Sequence, residues 1–143
     1  MISMSQPKNL NDDSARHRRT RDDHATESAE DYVEAIDDII GAQGSCRVED
    51  LRKHFSVSHV TVSRILSRLD RDGWVKKQAY QPVTLTAKGK RLAKKSRDRH
   101  QVVLEFLIRL GISRKTAEID AEGMEHHVSE ETLAVMKKFG TKG

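Results

Sequence analysis

Carboxylate and imidazole side chains are concentrated in one short stretch near the C-terminus, DAEGMEHHVSE, at residues 120–130. If this stretch is helical, Glu122, Glu125 and His126 lie within an arc of about 100°, since each helical residue turns the chain by about that angle. Carboxylate oxygens and imidazole nitrogens are ligands for divalent metal ions. Two interpretations follow: a metal site, or a charged helix surface in contact with water, which is the commoner meaning of such a run.

Three residues elsewhere in the chain offer the same kinds of donor atom. His100 falls among apolar residues of a long predicted helix, where a histidine is usually an ordinary core residue but can also reach a neighbouring helix. Asp31 and Glu34 are three positions apart at the start of an earlier helix, where negative charge also complements the helix dipole. The candidate metal ligands are therefore Asp31, Glu34, His100, Glu122, Glu125 and His126.

This donor set holds four carboxylates, two imidazoles and no thiolate. Such a hard, oxygen-rich set suits Mn²⁺ or Fe²⁺, with some tolerance for other divalent ions. It is large enough to serve more than one ion, with a carboxylate bridging them, so we consider up to two ions per subunit. The single cysteine, Cys46, allows no intrachain disulfide and no cysteine-based zinc site.

The elements that must position these donors are predicted to be helices, interrupted by one β-hairpin, so the predicted fold class is mainly α. Residues 1–27 show no apolar periodicity and are expected to form a disordered tail. A first helix is expected from near Ser28 to the GAQG motif at 41–44. The remaining predicted elements are short helices at 48–55 and 59–73, a hairpin formed by 74–78 and 83–86, a long helix from Thr86 to Leu110, and one or two helices after Ser113.

A short helix, a turn, a capped second helix and a hairpin follow one another in the order of a winged helix-turn-helix. The second helix has Ser58 as its N-cap and buries one apolar stripe, formed by Val62, Ile65, Leu66 and Leu69. Its opposite face carries small and hydrogen-bonding side chains, with arginines able to reach guanine edges or phosphates, and the hairpin carries lysines and a polar tip suited to the DNA backbone. The candidate DNA-contacting residues are Ser58, His59, Val60, Thr61, Ser63, Arg64 and Arg68 in the helix, and Lys76, Lys77, Tyr80 and Gln81 in the hairpin.

Positive charge is concentrated in the same part of the chain. Residues 45–100 hold 15 Lys and Arg against 5 Asp and Glu, whereas residues 1–44 hold 5 against 10 and residues 101–143 hold 6 against 7. A basic middle segment favours a polyanion such as double-stranded DNA as the partner. A lysine-rich solvated helix supplies part of the excess, and a helix-turn-helix can also serve as a scaffold without DNA, so charge alone does not decide.

Several motifs together resemble the diphtheria toxin repressor family of metal-dependent transcriptional regulators. They are EDYVEAI, the helix-turn-helix, LTAKGKRLAKKSRDRHQVVLEFLIRLGI and DAEGMEHHVSEETL, which together span residues 28–140. The resemblance implies a homodimeric, metal-activated repressor whose metal ligands are the six residues named above. We divide the chain into a tail at 1–27, a winged helix-turn-helix domain at 28–92, and a helical metal-binding and dimerisation domain at 93–143. Iron-responsive members have a methionine in place of Asp31 and a cysteine in place of Glu122, so carboxylates at both positions favour manganese.

The expected mechanism starts from repulsion among the four carboxylates, which disfavours docking of the DNA-reading unit against the C-terminal helices. A divalent cation would reverse that interaction and hold the two recognition helices of a homodimer at a fixed separation. The apolar excess between Val102 and Leu110 covers more than one helix face, which supports a dimer. Met124, Val128 and Val135 share another arc, which we expect to face a core.

Three alternatives remain open: an iron-responsive regulator of the same family, a metal-independent winged-helix repressor, and a di-metal carboxylate enzyme. The enzyme is disfavoured because residues 28–140 contain none of the Glu-x-x-His pairs that a four-helix di-metal protein uses, and no nucleophile–base arrangement is visible. The sequence shows no signal peptide and no apolar run of membrane-spanning length. We therefore expect a cytoplasmic regulator with no enzymatic activity, no membrane partner and no small organic ligand.

Overall fold

The computed structural model describes the backbone of residues 10–141, together with the side chains of residue 16 and of residues 28–140. That part of the chain forms a winged helix-turn-helix followed by a helical domain, as predicted. Its elements are α1 (Leu10–Gln43), α2 (Val48–Phe55), α3 (His59–Arg71), β1 (Val75–Lys76), β2 (Thr84–Leu85), α4 (Ala87–Arg109), α5 (Arg114–Met124) and α6 (Glu130–Thr141). Within residues 10–141, none of the helices combines the length and apolar character needed to cross a membrane.

The first helix is longer than predicted. It begins at Leu10 rather than near Ser28, so the backbone of residues 10–27 is helical instead of disordered, while residues 1–9 lie outside the described residues. This extension has no apolar stripe, which is why periodicity missed it. Its sequence nevertheless places opposite charges four residues apart, as at Arg18 and Asp22, a spacing that can stabilise a polar helix. The end of α1 agrees with the prediction, since Gly44 follows it with a φ of 90°.

One hydrophobic core joins α1, α2, α3, the hairpin and the beginning of α4. Its completely buried side chains include Val33 and Ile36 of α1 and Leu51 of α2. The ring of Tyr32 stacks on that of Phe55, with ring centroids 4.3 Å apart. Because α1 packs in this core, the residues that it carries move with the whole DNA-reading unit.

Local hydrogen bonds define the ends of the helix-turn-helix elements as the sequence predicted. The Oγ of Ser58 accepts a hydrogen bond from the backbone N–H of Thr61, at 3.1 Å, and so caps α3. The two strands pair antiparallel and are shorter than predicted, with two residues each. An isolated bridge between Cys46 and Val83 attaches the loop before α2 to the hairpin.

Helix α4 connects the two halves of the molecule. The Oγ1 of Thr86 accepts from the Gly89 N–H at 3.0 Å and donates to the Gly73 carbonyl at 2.6 Å, which anchors α4 to the end of the hairpin. Further along, α4 packs with α5 and α6 in a second core formed by Val103, Leu104, Leu107, Ala117, Ala121 and Met136. One continuous helix therefore links the DNA-reading unit to the C-terminal helices.

Candidate metal centre and DNA-binding surface

A cavity of about 660 Å³ lies where α1, α2, α4 and α5 meet. Five of the six predicted metal ligands line it: Asp31, Glu34, His100, Glu122 and Glu125. The sixth, His126, contacts two of these five. The structure therefore brings all six residues to one place.

His126 is enclosed by carboxylates from two directions. Its Nε2 lies 3.1 Å from Oδ1 of Asp31 and 3.4 Å from Oε1 of Glu125, and its Nδ1 lies 2.5 Å from Oε2 of Glu30. Both His126 and Glu30 are 5% exposed. Since Glu30 and Asp31 belong to α1, these contacts tie the DNA-reading unit to the segment that follows α5.

Glu125 lies between two imidazoles. Its Oε2 is 2.5 Å from Nδ1 of His100, and its Oε1 is the oxygen that faces His126. The other ring nitrogen of His100, Nε2, lies 3.4 Å from Oε2 of Glu118. Because Glu125 is completely buried, both of its oxygens are engaged inside the centre.

The region after Ser113 forms two helices, one of the two alternatives predicted, but the last two ligands lie between them and not on the helical face that was used to group them with Glu122. Helix α5 ends at Met124, Glu125 is its C-cap, and residues 125–127 form a turn. Arg99 holds this turn against α4, donating from Nη1 to the Glu125 carbonyl at 3.3 Å and from Nη2 to Glu130 at 2.7 Å. Because the chain turns after Met124, His126 points towards α1, where it contacts Glu30 and Asp31.

Burial and crowded negative charge alter the acidity of the carboxylic acids. Burial raises the pKa of Glu125 to about 7, although the neighbouring His100 opposes the shift. Burial also raises the pKa of Glu34, and the negative charges of Asp31 and Glu122 raise it further. These carboxylates therefore lie where additional positive charge is favourable.

The imidazoles supply that positive charge when they are protonated. Burial disfavours protonation of His126, but hydrogen bonds with Asp31 and Glu30 outweigh it and raise its pKa to about 10. His100 behaves in the same way: burial opposes the charge, and the carboxylates around it, chiefly Glu125, raise its pKa. Protons on the imidazoles thus balance the negative charge of the carboxylates, and a metal ion would have to displace these protons in order to bind.

The donor set fits a hard divalent cation. Donor atoms that share one octahedral ion at about 2.1 Å are separated by about 3 Å, which is close to the distances of His126 Nε2 from Asp31 and Glu125. In their present rotamers these side chains pair with one another, and no ready-made group of three His, Cys, Asp or Glu ligands occurs among the described residues. A cation would bind in competition with the protons that these pairs hold.

Two acidic residues of the centre were missed by the sequence analysis. Glu30 lies three positions before the buried Val33, so it belongs to the face of α1 that packs against the rest of the molecule, an unusual place for a charge. Glu118 lies four positions before Glu122 on α5 and approaches His100. Their spacing in the sequence could have identified them, since Glu30 shares a helix face with the buried Val33 and Glu118 shares one with the proposed ligand Glu122.

The recognition helix α3 presents most of the predicted outer face. Three residues of its apolar stripe, Val62, Leu66 and Leu69, are buried and Ile65 is partly buried. Of the predicted DNA-contacting residues, His59, Val60 and Arg64 are exposed, and Thr61 and Ser63 are half-buried. In the hairpin, Lys76, Tyr80 and Gln81 are exposed and Lys77 is half-buried. Ser58 is exposed and caps the helix.

The prediction that Arg68 points outward with these residues was wrong. Its Nη2 is fully enclosed, in a cavity that Glu30 and Leu69 also line. Helix position alone does not place Arg68 inward; its long, flexible side chain instead extends towards α1, where Ala29 and Glu30 line the same cavity. Its positive charge there favours the ionised form of Tyr32, although burial dominates and raises the pKa of that phenol.

Large apolar side chains remain exposed on the C-terminal half of the chain. They are Leu110, Ile112, Ile119, Met124, Val135 and Phe139. Met124 and Val135 therefore do not face a core within the chain, contrary to the prediction, although Val128 packs partly against the second core. The apolar excess of α4 is instead used mainly inside the chain, by Val103, Leu104 and Leu107. An exposed apolar set of this kind is typical of a protein–protein interface.

Comparison with known families agrees with the two-part architecture. The N-terminal DNA-binding domain of the iron dependent repressors matches residues 24–83, and the iron dependent repressor metal-binding and dimerisation domain matches residues 86–141. The chain therefore belongs to the iron dependent repressor family, which confirms the resemblance to the diphtheria toxin repressor family. Binding of DNA and of divalent metal, with association into dimers, follows from these two domains.

Named relatives give a finer comparison. The transcriptional regulator MntR of Escherichia coli O6:H1 is 46% identical over 125 residues, which cover 87% of this chain and 81% of the relative. The HTH-type transcriptional regulator MntR of Lysinibacillus sphaericus is 36% identical over 104 residues, covering 73% of this chain and 75% of the relative.

Two solved structures share the fold. The manganese regulator SloR has a TM-score of 0.66 at 27% identity, and a manganese-dependent transcriptional repressor in complex with manganese has a TM-score of 0.66 at 30% identity. Each comparison covers 78% of this chain and 52% of the other, so the chain spans about half the length of these two regulators.

Proposed function

We propose that the protein is a manganese-responsive transcriptional repressor in which divalent metal binding orders a homodimer for binding to operator DNA. The observation that carries the proposal is the convergence of six oxygen and nitrogen donors at the junction of the two cores. Asp31 and Glu34 come from α1, which packs in the DNA-reading core, and the other four come from α4, α5 and the turn after α5. Any ligand that holds these residues together also holds the two parts of the molecule together.

The charge on the residues of the centre determines how strongly the DNA-reading unit and the C-terminal helices attract or repel each other. When His100 and His126 have lost their extra protons and no cation is bound, Asp31 and Glu34 on α1 face Glu122 and Glu125 without compensating charge, and this repulsion weakens the contact between α1 and the C-terminal helices. A bound divalent cation supplies the positive charge that reverses this interaction. The carboxylates then hold α1, and with it α3, in one orientation relative to the dimerising helices.

Manganese is favoured over iron by the residues at two positions, Asp31 and Glu122. The resemblance places a methionine and a cysteine there in iron-responsive members, whereas every candidate ligand of this chain is a carboxylate or an imidazole. The only thiol, Cys46, is buried in the first core, where burial raises its pKa to about 12, so it offers no thiolate. Relatives described as manganese regulators share this fold, which supports the same assignment.

We further propose that the centre would hold two ions per subunit and that Glu125 would be a ligand shared by both. The two oxygens of this carboxylate face different imidazoles, His100 and His126. Asp31 lies beside His126, and the negative charge of Glu122 raises the pKa of His100. Each histidine therefore has its own carboxylate nearby. Glu34 is the remaining proposed ligand, and the charges of both Asp31 and Glu122 raise its pKa, so it lies close to both of these carboxylates.

The DNA surface consists of the outer face of α3 and the hairpin. We propose that Ser58, His59, Val60, Thr61, Ser63 and Arg64 enter the major groove, and that Lys76, Lys77, Tyr80 and Gln81 contact the sugar-phosphate backbone. Arg68 is left out because its side chain is turned inward.

We place the boundary between the two domains inside α4, because Ala93 belongs to the first core and Val103 to the second. In the dimer, two copies of α3 would lie one DNA turn apart, about 34 Å, or a multiple of that distance.

A gel-shift titration tests the proposal. The probe is a duplex selected from a random pool by the Mn²⁺-loaded protein, and binding is measured with Mn²⁺, with Fe²⁺ under anaerobic conditions, and after addition of a chelator. We expect tight binding with Mn²⁺ and reversal by the chelator. Binding that is indifferent to the chelator would support the metal-independent repressor instead, and stronger activation by Fe²⁺ would support the iron-responsive one.

Variants assign the effect to the proposed centre. Glu122→Ala and His126→Ala should remain folded dimers whose DNA affinity no longer responds to Mn²⁺. Glu131→Ala, an exposed position on α6 outside the centre, is the matched control and should respond like the parent chain. A normal response in both ligand variants would contradict the ligand assignment.

A further inference from the structure

The two imidazoles of the centre share an arrangement that the six proposed ligands do not explain. In each ring, one nitrogen faces a proposed ligand carboxylate and the other faces an acidic residue outside the ligand set. For His126 these neighbours are Asp31 at Nε2 and Glu30 at Nδ1. For His100 they are Glu125 at Nδ1 and Glu118 at Nε2. The same pattern therefore occurs twice, on side chains from different parts of the chain.

A carboxylate behind a metal-binding imidazole has a defined physical effect. A neutral imidazole carries its proton on one ring nitrogen and its lone pair on the other, so a hydrogen-bond acceptor at one nitrogen selects the tautomer. The acceptor also fixes the orientation of the ring and makes the free nitrogen a better donor to a cation. Loss of such an outer acceptor weakens metal affinity by about 10- to 100-fold.

We propose that Glu30 is the positioning residue of the metal centre, accepting the Nδ1–H of His126 so that the Nε2 lone pair is directed at the cation. This inference rests on the proposed metal-binding function. Three observations support it: the Nδ1 to Oε2 distance is 2.5 Å, both residues are 5% exposed, and Nε2 is the nitrogen that faces Asp31 and Glu125.

The position of Glu30 in the chain adds a structural consequence. Glu30 precedes the proposed ligand Asp31 on α1, so α1 supplies both a ligand and the residue that orients a ligand from the turn after α5. The ring of His126 is therefore oriented correctly only when α1 is docked. Glu118 has the equivalent position for His100, but it is 45% exposed at a longer distance of 3.4 Å, so its contribution is smaller.

The unmodified protein provides the first test. Protein labelled with ¹⁵N-histidine is loaded with ¹¹³Cd²⁺, and the ¹¹³Cd–¹⁵N couplings show which ring nitrogen binds the ion. We expect coupling to Nε2 of His126, with the proton retained on Nδ1. Coupling to Nδ1 of His126 would overturn the inference and leave the metal-binding function intact. Absence of any Cd²⁺ and Mn²⁺ binding would instead contradict the proposed function itself.

A variant series provides the second test. Glu30→Gln should weaken Mn²⁺ binding, measured by calorimetry, by about 10- to 100-fold and should give a mixture of His126 tautomers in the ¹⁵N spectrum. Glu118→Gln should weaken it by less than about tenfold, and Glu131→Gln is the control that should change neither measurement. A folded Glu30→Gln protein with parental Mn²⁺ affinity and a single His126 tautomer would overturn the inference. If Glu30→Gln does not fold, the ¹¹³Cd couplings of the unmodified protein decide whether the inference holds, through the ring nitrogen of His126 that binds the ion.

Discussion

The carboxylate of Glu125 and the imidazole of His100 meet across the gap between the end of α5 and the middle of α4, with Oε2 2.5 Å from Nδ1. Glu125 is completely buried, so water does not compete for this contact. Its second oxygen faces His126. One side chain therefore connects the two imidazoles of the centre, and its replacement should affect both.

Glu125→Gln keeps the shape of the side chain and removes its charge. Because both oxygens of Glu125 face imidazoles, we expect the bound metal to fall from the proposed two ions per subunit to one or none. Elemental analysis of dialysed protein measures this content. Glu131→Gln is the matched control. Parental metal content in Glu125→Gln would show that this carboxylate does not bridge two ions.

The stability of the metal-free protein should decrease as the pH rises. The pKa of His126 is raised to about 10 and that of Glu125 to about 7, so the folded state holds both protons more tightly than the unfolded chain does. The contribution of Glu125 is lost as the pH rises from the ordinary glutamate pKa of 4.5 through about 7, and that of His126 is lost as the pH rises from the ordinary histidine pKa of 6.5 through about 10. Urea unfolding at pH 6, 7.5 and 9 should therefore give a falling free energy of unfolding.

Saturating Mn²⁺ should reverse this dependence, because metal binding displaces the same protons and becomes tighter as they are lost. His126→Gln, which cannot titrate in this range, should flatten the profile of the metal-free protein. A metal-free profile that rises between pH 6 and pH 9 would contradict the assigned pKa shifts.

Gly89→Ala should destabilise the junction between the hairpin and α4. A Cβ at position 89 would overlap the carbonyl oxygen of Trp74, a backbone atom that cannot move aside easily. Overpacking of this kind costs about 1–3 kcal/mol, and urea unfolding of metal-free protein measures it. Gly41→Ala is the control, since a Cβ there meets nothing within 4 Å and alanine is the better helix former. Equal stability of the two variants would show that the close approach is not needed.

Arg64 and Arg68 should have different roles, although they are one helical turn apart on α3. Arg64 is exposed on the proposed DNA surface, so Arg64→Ala should weaken binding to the selected duplex by about 1–3 kcal/mol and leave Mn²⁺ binding and stability unchanged. Arg68→Ala should instead lower the free energy of unfolding, because that side chain is turned inward. Fluorescence anisotropy and urea unfolding separate the two effects, and reversed results would contradict the orientation of α3.

Ile119→Glu should disrupt the dimer. Ile119 is 68% exposed in the single chain and belongs to the exposed apolar set of the C-terminal half. We expect this set to form the dimer interface, where a buried unpaired charge would be costly. Sedimentation equilibrium should show a shift towards monomer. Val60→Glu is the control for association alone, because Val60 is similarly exposed, at 66%, but lies on α3. Dimers of unchanged affinity in Ile119→Glu would place the interface elsewhere.

Much of the fold was predictable because local rules govern it. Ser58, Thr86 and Ser113 cap the helices that they were predicted to begin, and Gly44, Gly73 and Gly111 follow helices with positive φ. The extension of α1 to Leu10 was missed because its sequence carries no apolar stripe, so apolar periodicity gives no signal for a helix there. The orientation of Arg68 was missed because helical periodicity fixes the direction of the Cα–Cβ bond but not where the end of a long, flexible side chain lies.

The sequence by itself determined the kinds of donor atom, the helices that carry most of them and the order of a winged helix-turn-helix, because residue type and helical periodicity are local properties. Only the tertiary structure decided that five of the donors line one cavity and that the sixth, His126, contacts two of them. It also decided that α5 stops at Met124 so that His126 turns towards α1, and that Glu30 lies behind His126. Those relationships join residues about a hundred positions apart in the chain, as the separation of 96 between Glu30 and His126 illustrates. They depend on how two hydrophobic cores pack around α4, which no local pattern specifies.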